Sequence, residues 1–375
     1  MTAFERSASS LDALTDLLDL RPARPDDGPD RTHLGVVAGR SGPRFLVPLD
    51  FPDASPEACL AYLGLRTART RVSRGAVGLA LRYGLDRLVV RDVLTADTGP
   101  DSLLALLDDL LEDTDEEPGL AVGIGLSRID EVWKPTLQVF RPDGTPAAFV
   151  KIGLGPVGDR LVATEAATLA AWRDHPDPRL VVPDLIADTT WNGLRLAVVA
   201  PLPTDSRRLP PGTVPSAWPV RELDGPEQRS VLADAGWWTE RRSACADQAQ
   251  VDALLDRIEA RHGGEHAWAR WHGDWVPWNL ARCHLGLVAW DWEYSEPGAP
   301  VGLDEVHGAY QQAHVVEGRS IAESLAVART ADRWLADAHV AMLVTRSAEL
   351  ERLLGRPPAD QPELLGAAAD AIGAT

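Results

Sequence analysis

Residues 271–293 read WHGDWVPWNLARCHLGLVAWDWE, and the rest of the chain can be read outward from them. Asp274, then Asn279, then Asp291 place two carboxylates and an amide in one short stretch. An acid and an amide at this spacing suit a loop that offers oxygens to a hydroxyl proton and to a metal. The apolar run 285–290 predicts a short buried strand that ends on Asp291 and delivers the second carboxylate to the same place. Hard cations such as Mg²⁺ take oxygen ligands and commonly share them with substrate phosphates, so the set suits phosphoryl transfer. The plain alternative is a surface loop with acids followed by a core strand; structural context decides between the two.

His272-Gly273-Asp274 with Asn279, followed by Asp291-Trp292-Glu293, resembles the catalytic and metal-binding loops of the aminoglycoside phosphotransferase and choline kinase families, small-molecule relatives of protein kinases. The resemblance covers roughly residues 119–340. It implies an α+β, two-lobed protein-kinase-like fold with a β-rich N-lobe and a helical C-lobe, preceded here by an extra N-terminal α+β region.

Composition bounds the reading. A chain of 375 residues has material for two or three domains, and 45% apolar with 25% charged residues is ordinary for a soluble globular protein. No run reaches the length a membrane span requires. The opening MTAFERSASS has neither a basic n-region nor an apolar h-region, which predicts no signal peptide and a cytoplasmic location. Cys59, Cys245 and Cys283 are widely spaced and lack a CxxC pair, so buried free thiols are expected rather than a disulfide framework or a zinc site. A net charge of −19 argues against nucleic acid and anionic membrane as partners. It suits a cationic small substrate and serves solubility equally well. Of the 37 basic residues only Lys134 and Lys151 are lysine. A chain so biased toward arginine keeps a lysine where a compact ammonium on a flexible stem cannot be replaced by a planar guanidinium.

In chain order, residues 1–118 predict a helix over 10–20, a β-hairpin from runs 34–38 and 45–49 around Arg40-Ser41-Gly42-Pro43, a helix over 56–63, a strand over 88–94 and a leucine-rich helix over 103–111. The acid run 112–117 reads as a solvated linker. The region is either a small accessory α+β domain or an extension packed on the N-lobe. From Gly119 the pattern turns to strands at 120–126, 136–140 and 147–152, the last two joined by Arg141-Pro142-Asp143-Gly144, a strong turn. A helix is expected over 160–174, strands over 180–186 and 194–200 around Trp191-Asn192-Gly193, an irregular linker over 201–219, and helices over 226–242, 248–262, 304–316, 320–336, 339–354 and 361–372. The domains expected are thus 1–118, an N-lobe over 119–202 and a helical C-lobe over 203–375.

The resemblance assigns roles to these positions. Asp274 is the catalytic residue that orients the acceptor hydroxyl and receives its proton. Asn279 and Asp291 hold Mg²⁺. Lys151 binds the α/β-phosphates and pairs with Glu165, which a buried lysine would in any case require as a partner. Residues 127–133 occupy the phosphate-covering loop, without the Gly-rich pattern of protein kinases. Leu202, between Pro201 and Pro203, offers the hinge N–H that would meet a purine base. His272 is a packed structural residue, and Asp304 holds the catalytic loop through backbone N–H groups or caps a helix. Lys134 is a second phosphate contact or a solvated strand end, and Glu293 reaches a second metal or caps a loop. Most of the tryptophans here belong to a core; Trp275 and Trp278, inside the loop, are the candidates for meeting an organic cation face-on.

The activity implied is ATP- and Mg²⁺-dependent transfer of the γ-phosphate to a hydroxyl of a small molecule, such as an aminoglycoside, an amino sugar or a choline-like alcohol, with GTP as an alternative donor. The competing reading is a catalytically silent nucleotide-binding pseudokinase acting through a protein partner. A protein kinase is disfavoured, because the interval between Asp291 and Asp304 leaves no room for an activation loop.

Overall fold

The computed structural model describes residues 10–39, 42–111, 119–126, 129–210, 213–329 and 332–373. The acid run 112–117, the hairpin residues Arg40 and Ser41, and Ser127 and Arg128 of the expected phosphate loop lie outside them. The fold is mixed α+β and divides into two compact units. One comprises Met1–Ala166, Pro183–Arg208 and Arg282–Leu285; the other comprises Ala167–Val182, Leu209–Ala281 and Gly286–Thr375.

Ten strands come first in the chain: β1 (Arg21–Pro22), β2 (Arg31–Gly39), β3 (Gly42–Pro48), β4 (Val90–Asp97), β5 (Ala121–Gly125), β6 (Thr136–Phe140), β7 (Pro146–Ile152), β8 (Leu180–Val181), β9 (Leu185–Trp191) and β10 (Leu194–Val199). All but β8 form one antiparallel sheet in the first unit, in the order β1-β4-β2-β3-β5-β6-β7-β10-β9. Alternation explains the packing. Leu34, Val36, Leu46, Val122, Ile124, Leu137, Val139, Val150, Ile152, Leu196 and Val198 turn to one face, against Leu14 and Leu18 of helix Ser10–Leu18 and Leu103 and Leu107 of helix Leu103–Leu111. Each such side chain contributes about 1.5–3 kcal/mol on burial. The other face carries Val37, Val47, Ala121 and Phe140 against Ala54, Ala58 and Cys59 of helix Ala54–Leu60.

Strands β1 to β4 therefore continue the sheet, since Phe45 and Leu46 of β3 pair with Gly125 and Ile124 of β5. The turns fall where turn chemistry places them. Gly144 (φ 85°) closes β6–β7, with Asp143 Oδ1 accepting from Thr145 N at 2.8 Å, and Asn192 (φ 49°) with Gly193 (φ 77°) closes β9–β10. Residues 79–82 end the helix Ala68–Arg82.

In the second unit, β12 (Gln228–Val231), β13 (Glu265–Trp271) and β16 (Glu296–Pro300) form an antiparallel sheet. β15 (Gly286–Ala289), which follows β14 (Leu280–Cys283), pairs in parallel with β8. Helices Gly236–Ala244, Ala249–Arg261, Leu303–Gln311, Ile321–Ala328, Arg333–Leu354 and Gln361–Gly373 surround a core that includes Trp238, Leu255, Ile258, Val306, Leu325 and Met342.

Two helix expectations are corrected here. Residues 226–242 are not one helix: pairing with β13 draws Gln228–Val231 into a strand, and the helix begins only at Gly236. The runs 320–336 and 339–354 break elsewhere, because Asp332 accepts from the N–H groups of Trp334 and Leu335 and starts a new helix at Arg333. Cys59 and Cys245 are buried free thiols as expected, whereas Cys283 is only half-buried, at the end of a short strand. Among the described residues no helix is long and apolar enough to cross a membrane.

Candidate active site

Lys151 lies on β7 opposite Thr136 of β6 and Ala197 of β10, an interior position of the large sheet. Val150 and Ile152 point into the leucine core, so alternation turns Lys151 to the other face. There its Nζ donates to Glu165 Oε1 at 2.5 Å, with the two residues 7% and 1% exposed. Glu165 comes from helix Gly155–Asp174, one turn beyond the buried Leu161 and Val162. Removing one partner of such a pair strands a charge in the interior, which costs about 3–5 kcal/mol. Lys134, in contrast, is half-buried and precedes β6 by two residues.

Leu202 is buried beyond the end of β10. Its carbonyl accepts from Tyr62 Oη at 2.9 Å, and Tyr62 in turn packs on Phe149 with ring centroids 5.5 Å apart. A Cβ on Gly64 would come within 2.4 Å of the Ser206 carbonyl oxygen. The segment that sequence reading assigned to the hinge thus rests on the 3₁₀ turn Leu63–Leu65, a support that no motif announced.

In the second unit, β13 runs out at Trp271 and hands the chain to His272-Gly273-Asp274. Asp304 holds this bend: its Oδ2 accepts from His272 N at 2.8 Å and its Oδ1 from Gly273 N at 3.0 Å. Burial drives the Asp304 carboxyl up to about 7, against the opposing pull of those two N–H groups. It sits inside helix Leu303–Gln311, behind the cap residue Gly302, so the loop-holding geometry applies and the capping alternative does not. Gly273 has φ 83°, and a Cβ there would lie 2.1 Å from the Tyr294 carbonyl oxygen; no other residue fits this backbone. His272 is fully buried, its Nε2 on the Trp290 carbonyl at 3.2 Å and its Nδ1 accepting from Asp274 N at 3.2 Å. Both ring nitrogens serve structure.

The Asp274 side chain keeps 22% of its surface open. Burial raises its pKa above the ordinary carboxylate value and the nearby Asp291 charge adds to the rise, while His272, Arg346 and the Asn279 bond oppose it. Asn279 Nδ2 donates to Asp274 Oδ2 at 2.8 Å and to the Asp274 carbonyl at 3.1 Å. The amide nitrogen is thereby committed, leaving the amide oxygen as the atom a hard cation would take. Trp290 N donates to the Asn279 carbonyl at 3.2 Å, which fixes the chain just before Asp291. Asp291 itself adopts φ 63°, a left-handed conformation that a non-glycine residue holds only when its surroundings impose it. β15 ends at Ala289, so the expected strand stops short of Asp291 and a bend delivers the carboxylate. A carboxylate oxygen of Asp291 lies within 4.8 Å of one from Glu293, and oxygen donors of this kind fit a hard cation such as Mg²⁺. Glu293 lies half-buried two residues further on.

Several residues at this loop had no sequence motif. His307 Nε2 stands 3.7 Å from Asp274 Oδ1 and 3.2 Å from Gln311 Nε2, and His307 Nδ1 stands 3.1 Å from His339 Nε2. Burial pushes His307 down to about 3 and lowers His339 well below its ordinary value, so Asp274 is backed by neutral imidazoles. The signal that could have found His307 is helical spacing: it lies three residues after Asp304 on one helix face. Arg346 sits 4.2 Å from the Tyr294 ring and 5.4 Å from the Trp271 ring, from a helix distant in sequence.

Trp275 departs from the role suggested for it. It is 1% exposed, donates from Nε1 to the Pro215 carbonyl at 2.7 Å and packs edge-on to His272, so it offers no face to a ligand. Trp292 is equally buried, against Trp172 and His272. Trp278 is half-buried and keeps some surface.

No family model matches the chain, and no curated protein matches it. Solved structures similar to it include a putative fructosamine-3-kinase from Thermobifida fusca YX-ER1 (20% identity over 73% of this chain and 100% of that one, TM-score 0.42). Amicoumacin kinase hAmiN, in complex with AMP-PNP, Ca²⁺ and Ami, is 13% identical over 73% of this chain and 94% of its own, with a TM-score of 0.44. A glucosamine kinase in complex with glucosamine, ADP and inorganic phosphate spans 95% of this chain and 93% of its own, at 14% identity and a TM-score of 0.32. At TM-scores below 0.5 these likenesses carry no functional weight, and the functional reading rests on the residues.

Proposed function

We propose that the chain is a phosphotransferase that moves the γ-phosphate of ATP, with Mg²⁺, to a hydroxyl of a small molecule such as an amino sugar, an aminoglycoside or a choline-like alcohol. The observation that carries this reading is the Asp274 loop. A part-open carboxylate of raised basicity is held on a bend that Asp304 and Gly273 fix, and Asn279 binds its far oxygen. Phosphoryl transfer asks little covalent work of a protein; positioning and charge neutralisation dominate. Asp274 would orient the acceptor hydroxyl and take its proton as the oxygen attacks, with a pKa moved toward working pH serving that task. Asn279 and Asp291 would hold Mg²⁺, which when bound neutralises phosphate charge. Lys151, steadied by Glu165, would bind the α/β-phosphates, and Leu202 N–H would meet the base.

In this reading residues 1–118 are an accessory region, 119–202 an N-lobe and 203–375 a C-lobe. The test is ATP consumption by the purified protein against a panel of amino sugars, amino alcohols and nucleosides. Acceptor-dependent ADP release that vanishes in Asp274→Asn supports the kinase. MgATP binding without turnover on any acceptor sinks it in favour of a silent nucleotide binder.

A further inference from the structure

A second set of donors, none of them assigned to catalysis, meets within the first unit. Asp205 is carried by a tight turn that Ser206 N closes on the Pro203 carbonyl at 3.0 Å. Cys283 ends β14 and His284 follows it, in the turn before Gly286 (φ 135°) opens β15. One ligand atom from each of Asp205, Cys283 and His284 lies within 4.8 Å of the other two.

Backbone bonds already hold these donors in place. Asp205 Oδ2 accepts from His284 N at 2.8 Å and lies 3.0 Å from His284 Nδ1, while Leu285 N donates to Cys283 Sγ at 3.3 Å. We infer that Asp205, Cys283 and His284 form a binding site for a borderline divalent cation, Zn²⁺ in the first instance, with water completing a tetrahedron.

The donor set selects the metal. One sulfur, one imidazole nitrogen and one carboxylate oxygen match Zn²⁺, whereas Mg²⁺ and Ca²⁺ demand oxygens alone and more of them. Zn–S near 2.3 Å and Zn–N near 2.0 Å place tetrahedral sulfur and nitrogen about 3.5 Å apart, so from within 4.8 Å a closure of about 1.3 Å at most completes the set. His284 Nδ1 and the Asp205 oxygen exchange their mutual hydrogen bond for the cation, and the backbone bond from His284 N to Asp205 persists. With three protein ligands the metal would staple the Pro203–Ser206 turn, just beyond Leu202, to the β14–β15 turn.

The site is separable from the carboxylates of the Asp274 loop, and the test keeps them apart. Chelator-stripped full-length protein is titrated with Zn²⁺ by calorimetry and with Co²⁺ by absorption, in wild type, Cys283→Ser, His284→Gln and Asp291→Ala. The site predicts one equivalent of bound Zn²⁺, a thiolate-to-cobalt charge-transfer band, tenfold or greater weakening in the Cys283 and His284 variants, and no change in Asp291→Ala. Equal Zn²⁺ affinity across wild type and the Cys283 and His284 variants overturns the site, as does a cobalt spectrum without the thiolate band. Loss of binding in Asp291→Ala alone assigns the metal to the other carboxylates and overturns it too. His284 is an exposed side chain, so its variant tests ligation without threatening the fold.

Discussion

The Lys151–Glu165 pair and the Asp274 loop are built in opposite ways. The pair hangs on regular elements, a central strand and a long helix, and its charges are almost wholly buried. The loop hangs on irregular backbone: Gly273 and Asp291 in left-handed conformations, a bend that Asp304 clamps, and a side chain that still meets solvent. A regular element places a charge by its period, and the core behind it supplies the rigidity. A loop has no period, so every position in it is held by a specific contact. Damage to the pair should therefore register first in stability, and damage to the loop first in turnover.

The strongest test of that contrast is Asp274→Asn. Shape and reach persist while the proton-accepting carboxylate is lost, so turnover should fall roughly 10²–10⁴-fold, the usual worth of a positioned base. Melting temperature and MgATP affinity measured alongside should hold nearly steady. Unchanged turnover on an identified acceptor would move the base elsewhere.

At the pair, Lys151→Ala should lower stability by about 3–5 kcal/mol in denaturant unfolding, because Glu165 is left charged in the interior. Lys151→Arg should lose most activity, since a planar fork does not fit where a point ammonium binds. Lys134→Arg should be tolerated. If the two arginine variants behave alike, the distinction drawn between the lysines fails.

Gly273→Ala probes the loop's backbone. A positive φ costs about 1–3 kcal/mol, and the overlap with Tyr294 adds to it. Melting should drop and turnover should drop with it. A variant that melts as wild type but is inactive would show the bend to be plastic.

The smallest effect concerns His307 and His339. Their folded-state pKa values lie below the ordinary one, so as pH falls through about 6.5 the unfolded chain takes up protons that the buried rings refuse. Stability present above that pH is lost toward acid, by up to about 1.4 kcal/mol per pH unit for each ring. The double variant His307→Gln, His339→Gln should show a shallower acid limb in chemical unfolding between pH 6.5 and 5. An unchanged slope would mean that the rings titrate normally in the fold.

Much of this was legible in residues 271–293 and in the two lysines. A strand period that buries Val150 and Ile152 turns Lys151 the other way, and a helix in register supplies Glu165. Those are local facts, and the sequence carries them. The turn residues Asp143-Gly144 and Asn192-Gly193 were equally local, because only glycine and asparagine tolerate the backbone those turns require. What the sequence withheld was everything set by partners distant in the chain. Gln228–Val231 looked helical until β13 offered it a ladder. Trp275 looked available until the Pro215 carbonyl claimed its indole. Tyr62 under Leu202, His339 behind Asp274, and the meeting of Asp205 with Cys283 and His284 carry no spacing signature. Period and turn chemistry act over a few residues, whereas hydrogen-bond satisfaction and burial are settled between segments that only the folded chain brings together.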